Sequence, residues 1–515
     1  MHWADVLAKQ LFKEGKKHVL ATGITPSGPI HIGNMREILT TDAIYRCLID
    51  LGADVEFIFV ADDYDPLRKV YPYLPPTYEQ HVGKPISDIP CPCGNHESYA
   101  QHYLVSFLQS LQKIGVNPHI YWASEMYKTN VYAESIQVAL ENSEKIRTII
   151  EEISKRTLPK KWLPFNILCK KCNRITTTQP ILYQYPIIEY NCNCGFEGEV
   201  DIRQAGIGKL PWRIDWPARW KILQVTFEPC GKDHTTVGGS RDTSKKIVEE
   251  VYNYPHPGLL AYEFILLKGK GAMHSSKGTA LSSEEMLQMT PPEVLRFLLM
   301  KNQPERHITF DTGLGLLTLV DEYDKIERAY FGEEEVKGMK DLNKIYELSQ
   351  PYHIPKTKPY QLPYRHLVTL VQIAKTWPQL KKILLRTNQI PSELSKEDEN
   401  NLKQRVEHVQ YWLSAFAPDM VKFSIKKKMP KIDLTTEQKK FLACFNQIIQ
   451  NISWDPESIH STIYETAKQS NIDIKTAFFA FYKIILGQEN GPRAGFFLSN
   501  IDKDFVSERI TEAIK

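Results

Sequence analysis

The chain contains 515 residues, of which 42% are hydrophobic and 24% are charged, and its formal net charge is +3. This composition is typical of a folded protein, and the length allows roughly three or four domains with cores of their own. The small positive charge does not indicate a dedicated nucleic-acid-binding protein, so any basic surface must be local. No apolar run is long enough to span a membrane and the first residues do not resemble a signal peptide, so we expect a cytoplasmic protein.

The first informative segment joins an apolar strand at 18–24 to a helix that we predict from about 33 to 51, through a turn rich in proline and glycine. The N-terminus of a helix has unpaired N–H groups and partial positive charge, so it is suited to phosphate. Gly33 would allow a purine to approach the backbone closely, and His31 and Asn34 could donate hydrogen bonds to phosphate oxygens. The alternative is an ordinary strand-to-helix turn with a surface histidine.

A second apolar strand is predicted at 54–61, and the chain is expected to return to the same sheet near 208–214 and 223–227. Near-continuous apolar strands separated by helices indicate a buried parallel sheet, so the predicted fold class is α/β. Ligands of such sheets bind at the carboxyl ends of the strands. Four polar residues that follow these strands are therefore candidate binding residues: Asp62, Asp63, Asp233 and His234.

The spacing of the cysteines favours metal binding over disulfide bonds, which are typical of small secreted chains. One group of four has the spacing of a zinc ribbon, and the alternative is four reduced cysteines on a hairpin. A second group mixes cysteine with histidine, and the alternative is a loop with incidental polar residues. The two groups are Cys169, Cys172, Cys192 and Cys194, and Cys91, Cys93, His96 and His102. Between them, the segment 99–158 has helical periodicity and is expected to be part of an insertion into the sheet domain.

The last part of the chain contains a further polar run at 272–278, Ala-Met-His-Ser-Ser-Lys-Gly, and a long helical region from about 334 to the end. By itself the run would be read as a linker. The helical region contains two basic clusters, at 381–386 and 422–431, each of which by itself is more typical of a solvated face.

Taken together, the runs 25–34 and 272–278 resemble the HIGH and KMSKS signatures of class I aminoacyl-tRNA synthetases. Asn34 stands in place of the second histidine, Ala272 in place of a common lysine and His274 in place of a common serine. The resemblance implies that His31, Asn34 and Lys277 are catalytic. It also implies a set of ATP-binding residues: His31, Gly33, Asn34, Asp233, Ser275, Ser276 and Lys277.

Within this class, glutamyl enzymes have an arginine where this chain has Ala21, so a pocket for glutamate would lack its cation. The runs 23–34, 61–69, 209–220, 231–234 and 491–497 instead resemble class I lysyl-tRNA synthetases. This resemblance implies a lysine pocket that includes Gly23, Thr25, Trp212 and His234. The face of Trp212 could hold an ammonium group with help from Asp62 or Asp63, although Trp212 and Trp216 could instead be core residues.

The same resemblance implies a Rossmann-type catalytic domain in two halves, 1–86 and 206–265, with a zinc-bearing connective insertion at 87–205. The KMSKS loop and a stem-contact region are expected at 266–333, and an all-α anticodon-binding domain at 334–515. The second metal group departs from the family, because Cys91 takes the position of an aspartate and Asn95 that of a cysteine; Cys93 would then serve as the replacement ligand.

The implied activity is ATP-dependent attachment of L-lysine to tRNA(Lys) through a lysyl-adenylate, with Mg²⁺ bound to ATP and with one or two structural Zn²⁺ ions. A monomer is expected. Three alternatives remain at this point: a glutamyl-type class I enzyme, a small-molecule nucleotidyltransferase, and a non-catalytic zinc-ribbon protein that binds tRNA.

Overall fold

A computed structural model of the chain describes residues 1–269, 271–272 and 281–515. These residues form two compact units. The first comprises Met1–Leu287, Pro292–Phe310 and Val336–Ile354, and the second comprises Gln288–Pro291, Asp311–Glu335 and Pro355–Lys515. None of the helices in these ranges is long and apolar enough to cross a membrane.

A parallel three-stranded sheet lies at the centre of the first unit. Its strands are β1 (Lys17–Ile24), β2 (Asp54–Ala61) and β3 (His119–Trp122), in the spatial order β1-β2-β3. α1 (Trp3–Glu14) precedes β1, and α2 (Ile32–Asp50) connects β1 to β2 and packs against both strands. The predicted strands at 18–24 and 54–61 and the predicted helix are confirmed, because each has an apolar pattern long enough to be recognised.

The sheet continues beyond β1 through single bridges. Leu20 bridges to Phe227, which in turn bridges to Gly258, both in parallel. The expected return near 223–227 is therefore confirmed at Phe227. The expectation of a strand across 208–214 is wrong: β8 (Gly208–Lys209) pairs antiparallel with another segment, and a helix begins at Trp212, directly after Pro211. Proline favours a helix start because its fixed φ is already suitable there.

The segment 99–158 is helical except at β3, which was not predicted. A strand of four residues is too short for its periodicity to be recognised from sequence. After these helices, residues 166–201 form antiparallel strands, and the four cysteines of the first group lie on or between these strands. The elements here are α3 (Tyr99–Lys113), α4 (Ala123–Lys128), α5 (Ala133–Glu141), α6 (Ser143–Ser154), β4 (Asn166–Ile167), β5 (Thr178–Gln184), β6 (Ile187–Cys192) and β7 (Glu197–Asp201).

Some segments in the remainder of the first unit line the cavity described below, between Trp212 and Ile265. A short three-stranded sheet has two of its strands before the undescribed residues 273–280 and the third strand after them. The elements are α7 (Trp212–Ile222), β9 (Cys230–Gly231), α8 (Ser240–Glu250), β10 (Ala261–Tyr262), β11 (Ile265–Leu267), β12 (Gly271–Ala272), α9 (Ser283–Met289), α10 (Pro292–Met300), β13 (Ile308–Phe310) and α12 (Leu342–Ser349).

The described part of the second unit contains helices and irregular segments, as the sequence predicts for the end of the chain. Its core is built around Phe441, Phe445 and Phe481, which are fully buried and contact one another edge to face or at a tilt. The helices are α11 (Leu314–Tyr330), α13 (Tyr364–Ile373), α14 (Trp377–Arg386), α15 (Lys396–Ala415), α16 (Thr436–Ile448), α17 (Pro456–Gln469), α18 (Ile474–Leu486), α19 (Ala494–Ser499) and α20 (Lys503–Ile514).

Candidate functional site

A cavity of about 800 Å³ lies at the carboxyl ends of β1 and β2 and at the N-terminus of α2. This is the edge at which parallel sheets bind their ligands. The structure brings together most of the sequence-predicted site residues here: Gly23, Thr25, His31, Gly33, Asn34, Asp62, Trp212, Asp233 and His234 line the cavity. The predicted residues Ser275, Ser276 and Lys277 lie outside the described residues.

The N-terminus of α2 forms the part of the cavity suited to phosphate. Nδ1 of His31 accepts a hydrogen bond from the backbone N–H of Gly33 at 3.1 Å, and the side-chain oxygen of Asn34 accepts one from the N–H of His31 at 3.2 Å. Because Nδ1 is an acceptor, the neutral ring has its hydrogen on Nε2. A Cβ at Gly33 would lie 2.7 Å from the His31 ring, so glycine is needed there to keep the ring over the helix start.

The segments on both sides of the undescribed residues also reach this region. The backbone N–H of Ile32 donates to the carbonyl of Leu281 at 3.4 Å, and the N–H of Ser283 donates to the carbonyl of Ile30 at 3.2 Å. Ile265 of β11 is part of the cavity lining. The residues that precede and follow the run 273–280 are therefore held near the start of α2.

A buried ionic network forms one wall of the cavity. Asp62 accepts hydrogen bonds from Lys209 and, at 3.0 Å, from Arg219. Lys209 also donates to Asp65 at 2.5 Å, and Arg219 donates to Asp215 at 2.5 Å. Burial opposes ionisation of Asp62, but the two cations lower its pKa to about 2. Burial and the charge of Asp62 raise the pKa of Asp65.

Asp63 does not join this wall. Its carboxylate accepts hydrogen bonds from the backbone N–H of Ser124 at 2.8 Å and from the Ser124 hydroxyl at 2.5 Å, and burial raises its pKa to about 6. The chain turns directly after β2, where the N–H of Asp63 donates to the carbonyl of Ala61 at 2.9 Å, and the Asp63 side chain is directed to Ser124. Asp65, which the sequence analysis did not select, lines the cavity and accepts from the Thr25 hydroxyl at 3.1 Å.

Two glutamates that the sequence analysis also missed lie in the cavity wall. Glu37 accepts from the backbone N–H of Gly23 at 3.1 Å and from the Tyr262 hydroxyl at 2.7 Å. Burial, assisted by the charge of nearby Glu228, raises the pKa of Glu37 to about 8. Glu37 follows Asn34 by three residues, and this helical spacing could have identified it as a residue of the same face.

Aromatic rings form the part of the wall next to the ionic network, where the guanidinium of Arg219 lies 5.8 Å from the centroid of the Trp212 ring. Trp212 and Trp216 stack with their centroids 5.0 Å apart, and His234 lies 5.7 Å from Trp216. Trp216 is buried and donates from Nε1 to Glu228 at 2.9 Å, so it is a core residue as well as a lining residue. Trp212 is 38% exposed, and its ring is available to the cavity.

The eight predicted metal ligands lie in two compact groups, each of which could hold a metal ion. In the first, the Sγ atoms of Cys169 and Cys194 are 3.7 Å apart and those of Cys172 and Cys192 are 3.6 Å apart. Four thiolates about 2.3 Å from a tetrahedral ion are about 3.8 Å from one another, so these distances fit such an ion.

The ligand atoms of the second metal group also lie close to one another. Sγ of Cys91 is 3.3 Å from Sγ of Cys93 and 3.3 Å from Nδ1 of His96, and Nδ1 of His102 is 3.3 Å from Cys93. All four side chains therefore surround one point, and Cys93 occupies the position that a fourth ligand requires.

The two basic clusters of the second unit differ in their pairing. In the first, Lys381 forms an ion pair with Glu399 at 2.7 Å and Arg386 forms one with Asp502 at 3.6 Å. In the second, Lys422 forms an ion pair with Asp419, three residues before it, at 3.5 Å. Residues 426–428 are exposed lysines whose carbonyls accept hydrogen bonds from buried Arg509. A cavity of about 680 Å³ in this unit is lined by Phe478, Phe479, Phe496, Lys475 and Arg493, among others.

Comparison with known proteins gives matches over the whole chain. A family model described as tRNA synthetases class I (K) matches residues 1–352, and one described as an anticodon binding domain matches 353–514. The chain is 44% identical to a lysine–tRNA ligase of Methanosarcina barkeri (strain Fusaro), over 100% of this chain and 98% of that one. It is 43% identical to the lysine–tRNA ligase of Picrophilus torridus and 41% identical to that of Archaeoglobus fulgidus, over 100% of this chain and 99% and 100% of theirs.

Proposed function

Because the chain belongs to the class I tRNA synthetase family described for lysine, we propose that it attaches L-lysine to tRNA(Lys) through a lysyl-adenylate. One observation carries this proposal. A single cavity joins a helix N-terminus suited to phosphate with a wall of carboxyl groups suited to ammonium groups. ATP and lysine could therefore meet within it.

The proposed reaction has two steps. The carboxylate of lysine attacks the α-phosphorus of ATP and pyrophosphate leaves; a hydroxyl of the terminal ribose of tRNA then attacks the carbonyl carbon of the adenylate and AMP leaves. Mg²⁺ bound to ATP would supply positive charge at the triphosphate. No protein nucleophile is needed, so the chain contributes by positioning and by hydrogen bonds to developing negative charge, from His31, Asn34 and the first N–H groups of α2.

Lysine carries two ammonium groups, and the cavity wall has two acidic regions. We propose that Glu37 and Glu228 contact one ammonium group directly, next to Gly23 and the Trp212–His234 side of the cavity. In the other region three carboxyl groups, Asp62, Asp65 and Asp215, form ion pairs with two cations, Lys209 and Arg219, so an added ammonium group would balance the charge of this network. In this arrangement Asp63 supports the wall from behind, through Ser124.

This arrangement predicts that lysine binding strengthens as pH rises. The pKa of Glu37 is raised to about 8, so the group is mostly neutral at pH 6.5 and mostly ionised at pH 8.5. Because only the ionised form attracts an ammonium group, the affinity for lysine should rise about 25-fold across this interval. Glu37→Gln should bind lysine more weakly and lose most of this dependence, as measured by calorimetric titration.

A matched control is Glu189→Gln, which removes an exposed carboxylate of β6 and should keep the wild-type pH profile. If Glu37→Gln also kept the wild-type profile, direct contact between Glu37 and the ammonium group would be refuted.

We propose that both metal groups bind structural Zn²⁺. Thiolate and imidazole ligands at these distances suit zinc, and such sites contribute to folding. Elemental analysis should give two equivalents for the wild-type protein and one each for Cys172→Ser and Cys93→Ser. Cys444→Ser, which changes a half-buried cysteine outside both groups, should retain two. Two equivalents in Cys172→Ser would contradict the ribbon site.

For the second unit, we propose binding of the anticodon arm of tRNA(Lys). The aromatic faces of Phe478 and Phe496 and the cations Lys475 and Arg493 provide stacking surfaces for unstacked bases and charge for their phosphates. The two proposals for the chain together require tRNA to contact both units.

The direct test of the proposed function is ATP–pyrophosphate exchange with each of the twenty amino acids, with and without tRNA. Lysine alone should stimulate exchange. Stimulation by glutamate would support a glutamyl-type enzyme, and exchange with none of the twenty would support a non-catalytic tRNA-binding protein.

A further inference from the structure

Two tyrosine hydroxyls converge on one carbonyl oxygen in the turn between β1 and α2. Tyr73 donates a hydrogen bond to the carbonyl of Ser27 at 3.1 Å, and Tyr99 donates one to the same oxygen at 2.7 Å. A carbonyl oxygen has two lone pairs, so both of its acceptor positions are occupied. Because a peptide group is planar, this pair of bonds fixes the orientation of the whole peptide between Ser27 and Gly28.

The turn joins two ends of the cavity. Thr25, two residues before Ser27, and His31, four residues after it, both line the cavity. Each of them has an anchor of its own: Thr25 donates to Asp65 at 3.1 Å, and His31 is the N-cap of α2. The two tyrosines therefore hold the middle of a segment whose ends face the lysine side and the phosphate side of the cavity.

Few backbone donors are available in this turn. Pro26 and Pro29 have no N–H group. The N–H of Ser27 donates to the carbonyl two residues before it at 2.8 Å, which is a bond within the turn. The bond from the N–H of Ser283 to the carbonyl of Ile30 attaches the end of the turn near α2 to the rest of the first unit. The tyrosine hydroxyls attach its middle.

Both tyrosines belong to a hydrophobic cluster at the start of α3. Tyr99 is fully buried in this cluster with Leu67, Tyr78 and Ile89, and Tyr73 packs against it. The N–H of Tyr99 donates to the carbonyl of Ile89 at 3.0 Å. Neither Tyr73 nor Tyr99 is among the described residues that line the cavity, so they would act on a substrate there through the turn and not by contact.

The second metal group adjoins this cluster. The ring of His102 lies edge to face against Tyr103, with centroids 4.6 Å apart. Tyr103 lies edge to face against Tyr99 at 5.1 Å and against Tyr73 at 6.0 Å. His102 and Tyr99 are three residues apart in α3, so they are neighbours on one face of the helix. A metal ion held by the four ligands would fix the His102 ring and thereby the packing of both tyrosines.

We propose that Tyr73 and Tyr99 are positioning residues for adenylation and that the second metal group holds them in place. This inference rests on the proposed function. Because Thr25 and His31 keep their own anchors, lysine and ATP should still bind when the hydroxyls are removed, whereas the geometry of attack on the α-phosphorus would loosen. A misplacement of about 1 Å is enough to slow such a reaction about 100-fold.

The first test removes both hydroxyls and keeps both rings, in Tyr73→Phe/Tyr99→Phe. Its kcat for lysine-dependent pyrophosphate exchange should fall about 10- to 100-fold, with KM for lysine and for ATP within about threefold of wild type. Amide hydrogen exchange of residues 25–34, followed by mass spectrometry, should become about tenfold faster. Tyr252→Phe is the matched control, because Tyr252 is also buried and donates to a carbonyl, that of Ser135 on α5, at 3.4 Å. It should resemble wild type in both measurements.

The second test addresses the metal group through Cys93→Ser, with Cys444→Ser as its control. Cys93→Ser should lose one equivalent of zinc and show faster amide exchange of residues 25–34, and Cys444→Ser should do neither. If the metal group acts through the tyrosines, adding Cys93→Ser to the double Phe variant should change amide exchange of the turn little further, because effects on one pathway do not add.

Wild-type kcat in the double Phe variant, or an equal loss of kcat in Tyr252→Phe, would overturn the positioning role. Wild-type amide exchange of the turn in zinc-depleted Cys93→Ser, or full additivity with the double Phe variant, would overturn the role of the metal group. Failure of the proposed function is distinguishable, because wild type would then lack lysine-dependent pyrophosphate exchange while amide exchange of the turn still responded to loss of the hydroxyls.

Discussion

Lys209→Met is expected to lower the free energy of unfolding by about 3 to 5 kcal/mol, the usual cost of removing one partner from a buried ion pair. Lys209 is 3% exposed and forms ion pairs with Asp62 and Asp65. Without it, buried Asp62 would keep Arg219 as a partner, but half-buried Asp65 would lose its ion pair. Methionine keeps a similar apolar length, so the loss would reflect charge more than packing. Urea denaturation at pH 7.5 provides the measurement.

A second substitution makes this prediction specific. Asp65→Asn in the Lys209→Met background removes one of the unbalanced carboxylates and should recover part of the lost stability. Lys128→Met provides the matched control, because Lys128 pairs with Asp88 at 2.6 Å but is 48% exposed, and exposed pairs contribute about 1 kcal/mol or less. If Lys209→Met and Lys128→Met lowered the free energy of unfolding equally, the stability of the protein would not depend on the charge balance of the buried network.

The elements that the sequence predicts well are those whose signals are local. The apolar runs of β1 and β2, the start of α2 and the spacing of the cysteines each lie within a short stretch of chain. β3 is different, because its four residues become a strand only by pairing with β2, as at Ile58 and His119. Sequence periodicity contains no information about such a distant partner.

In the candidate site, too, the residues with local sequence signals were predicted and those that depend on tertiary contacts were not. The residues at the carboxyl ends of β1 and β2 were predicted to face a ligand, and Asp62 does line the cavity. The choice between Asp63 and Asp65 depends on how the chain turns after β2, which brings Asp63 to Ser124 and Asp65 to Lys209. Such a turn is decided by tertiary contacts. The roles assigned to these residues stay predictions.

Basic clusters are a further case in which sequence is insufficient. The clusters at 381–386 and 422–431 have similar composition, but Lys381 is paired with Glu399, a residue of another helix, whereas Lys422 is paired with Asp419, three residues before it.

His31→Ala is expected to reduce kcat for lysine-dependent pyrophosphate exchange about 100- to 1000-fold, with a smaller effect on KM for lysine. The imidazole lies at the phosphate end of the cavity, and removal of one hydrogen-bond donor to a developing oxyanion costs about 2.7 to 4 kcal/mol of barrier. His31 is also the N-cap of α2, through its bond with the N–H of Gly33. Loss of a cap costs about 1 kcal/mol of stability and could by itself reduce activity.

His31→Asn separates the two roles. An asparagine side chain can accept the hydrogen bond from the start of α2, as N-caps commonly do, but it cannot place a donor where Nε2 of His31 lies. The Asn variant should therefore unfold at nearly the wild-type urea concentration while its kcat falls nearly as far as that of the Ala variant. Wild-type kcat in the Asn variant would mean that His31 acts only through the helix cap. In that case the charge that develops on pyrophosphate would have to be stabilised by the N–H groups of α2 and by the residues 272–278.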